Sequence, residues 1–301
     1  TDTGAISITG STSGNVSTGY GVNLANGKMF TNSGAITIGG TTTSNTSSVY
    51  DYGLRVYQFN IVGGSGAVNL TGTTRGQTYN PYGFYQYNCA ISSTSGAITI
   101  IGSEPDSTVT SGVHYGVSLT TGTSVTSGNS TTNTVGGPIS ISGLAAPVGG
   151  TSQVLDCALN GTTIDTYNNT ITLECGTAAN SSVTNTSTAF YSLVLSSTNN
   201  FAATASAFTI NAYAPSDGNP GFYHQSGAVT NFGGPNSHAA ITINSDNIAL
   251  YTIATLPVMN LDTDGDVVFQ PMGTSFRSSQ YNGTTGAMPV SYTHLRAHET
   301  L

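Results

Sequence analysis

Charge is the scarcest property of this sequence. Only 6% of its 301 residues are Asp, Glu, Lys or Arg, against roughly 25% in an ordinary soluble domain. Five residues are basic and the formal net charge is -8, so the chain lacks the basic patch with which proteins bind nucleic acid or anionic membranes. No apolar run approaches the ~20 residues of a spanning helix. We therefore expect no nucleic-acid partner and no transmembrane segment.

Cysteine is equally sparse. The three cysteines, Cys89, Cys157 and Cys175, form an odd and scattered set, which excludes a disulfide framework. Each lies in an apolar, strand-like context, so we interpret them as small buried side chains. A Cys157–Cys175 bridge between neighbouring repeats is the alternative.

The chain also lacks clustered catalytic side chains. Asp156 and Asp165 flank one predicted strand pair and Glu174 follows on the next repeat, but strand alternation predicts that Asp156 points outward. A carbohydrate-cleaving enzyme needs converging carboxylates, so we expect no catalysis. The scattered histidines lack a neighbouring Ser or Cys nucleophile motif and are interpreted as surface residues: His114, His224 and His238.

A short strand motif recurs along almost the whole chain. It reads GAITIGG from Gly34, and copies begin at Gly4, Gly66, Gly96 and Gly137. The steps between successive apolar anchors run from 30 to 41 residues, a spacing typical of stacked repeats. These anchors are Ile6, Ile36, Val68, Ile98, Ile139, Ile171, Phe208 and Ile241.

A second motif repeats with the same period. Tyr20-Gly21-Val22-Asn23-Leu24 recurs from Tyr52, Tyr82 and Tyr115, and a short third strand follows it. Three strands per repeat, separated by Gly and Asn turns, predict an all-β fold: a parallel β-helix (β-solenoid) of about 30–33 residues per coil and roughly nine coils. It should be right-handed, as crossovers between parallel strands are. The blades of a β-propeller need four strands and about 40–45 residues, which this repeat does not provide.

This stacking also explains the poverty of charge. Equivalent positions on adjacent coils lie about 4.8 Å apart, so a repeated Lys or Glu would form a destabilising ladder of like charges. Thr, Ser and Asn carry no such penalty.

The composition changes abruptly at Val290. Residues Val290 to Leu301 resemble the in-frame translation of a transposase-type sequencing adapter, so we expect them to contribute nothing to the fold or the function. We expect residues 1–287 to form a single β-solenoid domain, a fragment open at both ends. Residues 288–301 are expected to be a non-native, disordered tail.

The aromatic concentration from Tyr50 to Tyr87 provides the candidate binding residues. By register, Tyr57 and Tyr87 should form an outward ladder, and Arg55 should lie over Tyr85. Such rings could stack on sugars or contact a partner surface. Purely structural cross-strand stacking is the alternative.

One acidic cluster is present, formed by Asp262, Asp264 and Asp266. Alternating carboxylates beside a glycine could bind Ca²⁺, but the stretch does not fit the EF-hand pattern. A solvated turn without any cofactor is the simpler interpretation.

The repeat SGAITI, followed by a Thr/Ser/Gly loop and YGVxL, resembles the passenger region of filamentous-haemagglutinin-type adhesins over Thr1 to about Ala287. The resemblance implies a secreted or cell-surface rod of a Gram-negative exoprotein, exported by two-partner secretion through an outer-membrane pore. It also implies contacts with host or bacterial surface glycans or proteins through particular segments. We find no secretion-domain motif in this chain.

These observations favour a rod-like adhesin segment with a structural, cell-adhesion role and no catalysis. Two alternatives remain. One is a carbohydrate-active β-helix enzyme, either a polysaccharide lyase or a glycoside hydrolase. The other is a passive surface-layer or biofilm scaffold without a specific receptor.

Overall fold

The chain is all-β in the part that can be described. The computed structural model describes residues 3–14, 17–107, 112–145, 153–177, 189–202, 204–213, 219–234, 237–250, 257–272, 278–281, 284–286 and 294–295. These ranges hold strands and turns, and nothing in them is a helix long and apolar enough to cross a membrane. Of the proposed tail 288–301, only the two-residue strand His294–Leu295 is described.

The strands are short except where one strand bends through a whole coil. In chain order they are β1 (Ile6–Ser13), β2 (Thr18–Thr31), β3 (Ile36–Gly63), β4 (Val68–Tyr87), β5 (Ala90–Ser93), β6 (Ile98–Ser107), β7 (Val113–Thr120), β8 (Thr123–Ser127), β9 (Ile139–Ala145), β10 (Gln153–Asn160), β11 (Thr162–Thr166), β12 (Thr170–Cys175), β13 (Ala189–Ser196), β14 (Thr198–Phe201), β15 (Ala207–Ala212), β16 (Phe222–His224), β17 (Val229–Gly233), β18 (Ala240–Asn244), β19 (Asn247–Leu250), β20 (Val258–Asp262), β21 (Val267–Gln270), β22 (Ser278–Tyr281), β23 (Thr284–Gly286) and β24 (His294–Leu295).

Each coil pairs in parallel with the coils before and after it, which confirms the predicted β-solenoid. The first sheet runs through β1, β3, β4, β6, β9, β12, β15, β18 and β21. The second runs through β2, β3, β4, β7, β10, β13, β16, β19 and β22. The third runs through β2, β3, β5, β8, β11, β14, β17 and β20. The right hand of the coil stays a prediction.

The core lies between the three sheets and is built from stacked identical positions. Ile36, Val68 and Ile98 are Cα partners on successive coils and are fully buried. Later coils fill the same space with aromatic rings instead, and Phe201 and Phe208 have ring centroids 5.4 Å apart. Because each coil covers the apolar face of its neighbour, stability comes from stacking.

A line of glycines brings the first and second sheets into backbone contact. A Cβ at Gly40 would lie 2.0 Å from the carbonyl oxygen of Gly53, and a Cβ at Gly53 would lie 2.2 Å from the backbone nitrogen of Thr73. Only glycine fits at such a distance. We call this line the glycine seam; it comprises Gly10, Gly40, Gly72, Gly102 and Gly143 on the first sheet and Gly21, Gly53, Gly83 and Gly116 on the second.

Candidate functional site

The outward face of the second sheet carries a concentration of tyrosine side chains. The chain enters each of these strands with a tyrosine followed by a seam glycine. At the first coil both Gly21 and Val22 face inward, because the Cβ position of Gly21 points at the first sheet and Val22 is buried. This local break in alternation leaves Tyr20 on the outer face. The parallel register then places the tyrosine of each later coil directly beside it.

Four tyrosines form a continuous stack along this face, which we call the tyrosine ladder: Tyr20, Tyr52, Tyr82 and Tyr115. The ring centroids of Tyr20 and Tyr52 are 5.4 Å apart with an interplanar angle of 6°. Those of Tyr52 and Tyr82 are 5.0 Å apart at 13°. Tyr82 and Tyr115 are closest, at 4.4 Å and 5°. The Tyr-Gly repeat carries this signal in the sequence, because the parallel register places its tyrosines side by side.

A second aromatic column stands beside the ladder. Tyr57 and Tyr87 are stacked at 5.1 Å and 10°, which confirms the predicted pair. Arg55 is the Cα partner of Tyr85, yet its guanidinium carbon lies 4.4 Å from the ring centroid of Tyr57. The predicted contact over Tyr85 is therefore not the one observed. The ring of Tyr85 is turned edge-on to Tyr82, at an interplanar angle of 72°.

Four phenols of this surface hold their protons more tightly than a free tyrosine does. Burial raises the pKa of Tyr52 and of Tyr82 well above the usual value, and neighbouring tyrosines add to the effect. Burial also raises the pKa of Tyr85 and Tyr115. The charge of Arg55 opposes the shift at Tyr52 and Tyr85. The surface therefore presents hydroxyl groups and ring edges, together with one guanidinium group.

Stacking decides which parts of the rings a ligand can reach. Both faces of Tyr52 are covered, by Tyr20 on one side and Tyr82 on the other. Tyr57 lies between the guanidinium of Arg55 and the ring of Tyr87. A sugar would therefore meet hydroxyl groups and ring edges along most of the surface.

The acidic cluster lies in the turn between β20 of the third sheet and β21 of the first sheet. Asp262, Asp264 and Asp266 are all exposed, as a solvated turn requires. His238 contacts Asp264 through its Nδ1 atom. Within the described ranges, no group of three or more His, Cys, Asp and Glu side chains is arranged to hold a metal ion.

Asp156 is buried, and the prediction that it points outward is wrong. It occupies the position of Gly116 in the seam, where the chain places two consecutive side chains inward. The backbone N–H of Ala145 donates to Asp156 Oδ1 at 2.7 Å. Burial raises the pKa of Asp156 to about 8, the charge of Glu104 raises it further, and hydrogen bonds from Ala145 and Ser192 act against this.

Two of the three histidines interpreted as surface residues are also buried. His114 lies between the first and second sheets, with Nδ1 3.4 Å from Oε1 of the buried Glu104. His224 lies in the core, with Nε2 3.1 Å from the hydroxyl of Thr230. Burial lowers its pKa to about 4. His238 is exposed, as predicted.

The three cysteines are buried free thiols, which agrees with their interpretation as small buried side chains. The Cys157 thiol donates to the carbonyl oxygen of Glu174 at 3.8 Å. Burial raises the pKa of Cys175 well above its usual range, and the neighbouring Cys157 adds to this. Cys157 and Cys175 are thus neighbours without a bridge.

Comparison with protein-family models, with curated proteins and with solved structures gives no match for this chain. Its similarity to filamentous-haemagglutinin-type adhesins therefore rests on the repeat motifs alone.

Proposed function

We propose that this chain is a rod-like segment of a secreted or surface-displayed bacterial adhesin, with a structural, cell-adhesion role and no catalysis. The observation that carries the proposal is the outward-facing, half-buried surface of tyrosine and arginine side chains on the second sheet of the β-solenoid. Export by two-partner secretion through an outer-membrane pore is implied by the resemblance of the repeat.

The contact surface of this adhesin segment is the outer face of the second sheet around Arg55, Tyr57, Tyr85 and Tyr87. Aromatic side chains and Arg are enriched where proteins bind each other. Phenol hydroxyls and the guanidinium group also suit the hydroxyl groups of surface glycans. Presenting these hydroxyl groups and ring edges costs little conformational entropy on binding, because stacking already fixes the rotamers.

The alternative of a carbohydrate-active enzyme needs carboxylates that reach the substrate. Glu104 and Asp156 are brought near each other, but both are buried between the sheets. They are therefore not the carboxylates on which we would base a catalytic mechanism.

A binding assay on intact cells and on immobilised glycans and surface proteins tests the proposal. We expect the wild-type chain to bind, and Tyr57→Ala with Tyr87→Ala to lower the affinity about tenfold, since an aromatic contact contributes about 0.5–1.5 kcal/mol. Thr37→Ala, on the exposed face of the first sheet, is the matched control and should bind normally.

Each other result points to a different function. Wild-type chain that binds none of these surfaces would support the passive scaffold. Release of new reducing ends or unsaturated sugars from a polysaccharide would support the enzyme.

A further inference from the structure

The closest pair in the tyrosine ladder has the geometry of two groups ready to couple. The rings of Tyr82 and Tyr115 are nearly parallel, with centroids 4.4 Å apart. Their backbones are in register on neighbouring parallel strands, so the two rings are held face to face. Fixed proximity of this kind replaces a bimolecular encounter and strongly favours reaction between the two groups.

The same pair is accessible to a reagent in solution. Both rings are half-buried on the outer face of the second sheet. The stack and the strand register hold the two phenols side by side. The thiols that would compete for an oxidant are buried, at Cys89, Cys157 and Cys175.

We propose that the tyrosine ladder is an oxidative cross-linking site, at which a haem peroxidase using hydrogen peroxide joins Tyr82 to Tyr115 as dityrosine. Each phenol loses one electron and its hydroxyl proton, giving two tyrosyl radicals. The radicals form one carbon–carbon bond between the ring positions next to the hydroxyl groups. The hydrogen on each of these carbons then moves to the phenol oxygen. The peroxide takes up the two electrons and two protons and becomes two waters.

The product is a covalent link between two successive coils. Tyr82 lies on β4 and Tyr115 on β7, so the bond closes a loop through one complete repeat. A cross-link of this kind restricts the unfolded chain more than the folded one. The inference is independent of any adhesive role, because it requires only the ladder and an oxidant.

The experiment treats the full chain with a haem peroxidase and limiting hydrogen peroxide, over a range of protein concentrations. We expect dityrosine fluorescence in the monomer, with a mass lower by two hydrogen atoms and a yield independent of concentration. Proteolysis with thermolysin should release one cross-linked pair of peptides holding Tyr82 and Tyr115. Tyr82→Phe and Tyr115→Phe keep the ring stack, and each should lower the monomer yield at least twofold.

Tyr79 provides the matched control. Its side chain is 50% exposed and has no ring contact within the described residues, so Tyr79→Phe should leave the yield unchanged. Three results would overturn the proposal: dityrosine found only in dimers, a yield unaffected by both ladder substitutions, or a cross-linked peptide that contains Tyr79. Unfolding curves of the variants establish that each is folded.

Discussion

Replacing the buried Asp156 by asparagine should stabilise the protein at neutral pH. The carboxyl has a pKa of about 8 in the folded chain and 3.8 as its ordinary value. Between these values the folded state keeps a proton that the unfolded state has released. The free energy of unfolding therefore falls as pH rises from about 4 to about 8. Asparagine does not ionise, and its side-chain oxygen can still accept the N–H of Ala145.

The size of this change in the free energy of unfolding follows from the difference between the two pKa values. Each pH unit contributes about 1.4 kcal/mol, so wild-type protein at pH 7 has lost about 4 kcal/mol relative to its stability below pH 4. We expect Asp156→Asn to be more stable than wild type by up to about 4 kcal/mol at pH 7. The two proteins should converge below about pH 4, as the aspartate becomes protonated in the unfolded state as well.

The assay is denaturant unfolding of both proteins at several values between pH 4 and pH 8. Asp262→Asn, an exposed position, is the control and should stay within about 0.5 kcal/mol of wild type. Parallel pH profiles for wild type and Asp156→Asn would refute the reasoning, because they would show that the buried carboxyl does not hold its proton in the folded state.

Two further predictions concern the seam and the core. Gly53→Ala should cost more than about 3 kcal/mol of unfolding free energy, because its Cβ would meet the backbone nitrogen of Thr73 at 2.2 Å. Gly39→Ala, whose Cβ would come no nearer than 3.9 Å to Thr9, should be tolerated. Equal thermal midpoints for the two variants would contradict the close backbone contact at the glycine seam. Burial of His224 lowers its pKa to about 4 from 6.5, so its contribution to stability is complete above pH 6.5 and about 3 kcal/mol is lost as pH falls towards 4. His224→Leu should remove this acid sensitivity in denaturant unfolding, and an unchanged profile would show that the imidazole is not the group responsible.

The sequence was sufficient to predict the solenoid because one signal was repeated many times. The alternation around Ile36 and the spacing of the Tyr-Gly motif both depend on backbone period, and each copy supports the others. The paired register follows directly, including the stack of Tyr57 on Tyr87. Properties that every coil shares can thus be read from a single chain.

The wrong predictions concern side chains whose coil departs from strict inward–outward alternation, or whose position depends on rotation about side-chain bonds. Strict alternation directed Asp156 outward, but the seam position turns two consecutive residues inward. His224 belongs to no motif of its own in the sequence, which is why it was predicted to be a surface residue. Its register places it with the inward leucines of other coils, such as Leu195. The position of the Arg55 guanidinium depends on several rotatable bonds, which register does not determine.

The glycine seam has a mechanical consequence for the rod. Stacked sheets usually lie about 10 Å apart, but here two backbones meet with no side chain between them, so the cross-section is thin along one edge. A beam bends most easily across its thinnest dimension. The coils from Gly10 to Gly116 therefore share one easy plane of bending. The backbone contact continues as far as Asp156, whose carbonyl oxygen would lie 2.1 Å from a Cβ at Gly143, so the easy plane extends to that coil.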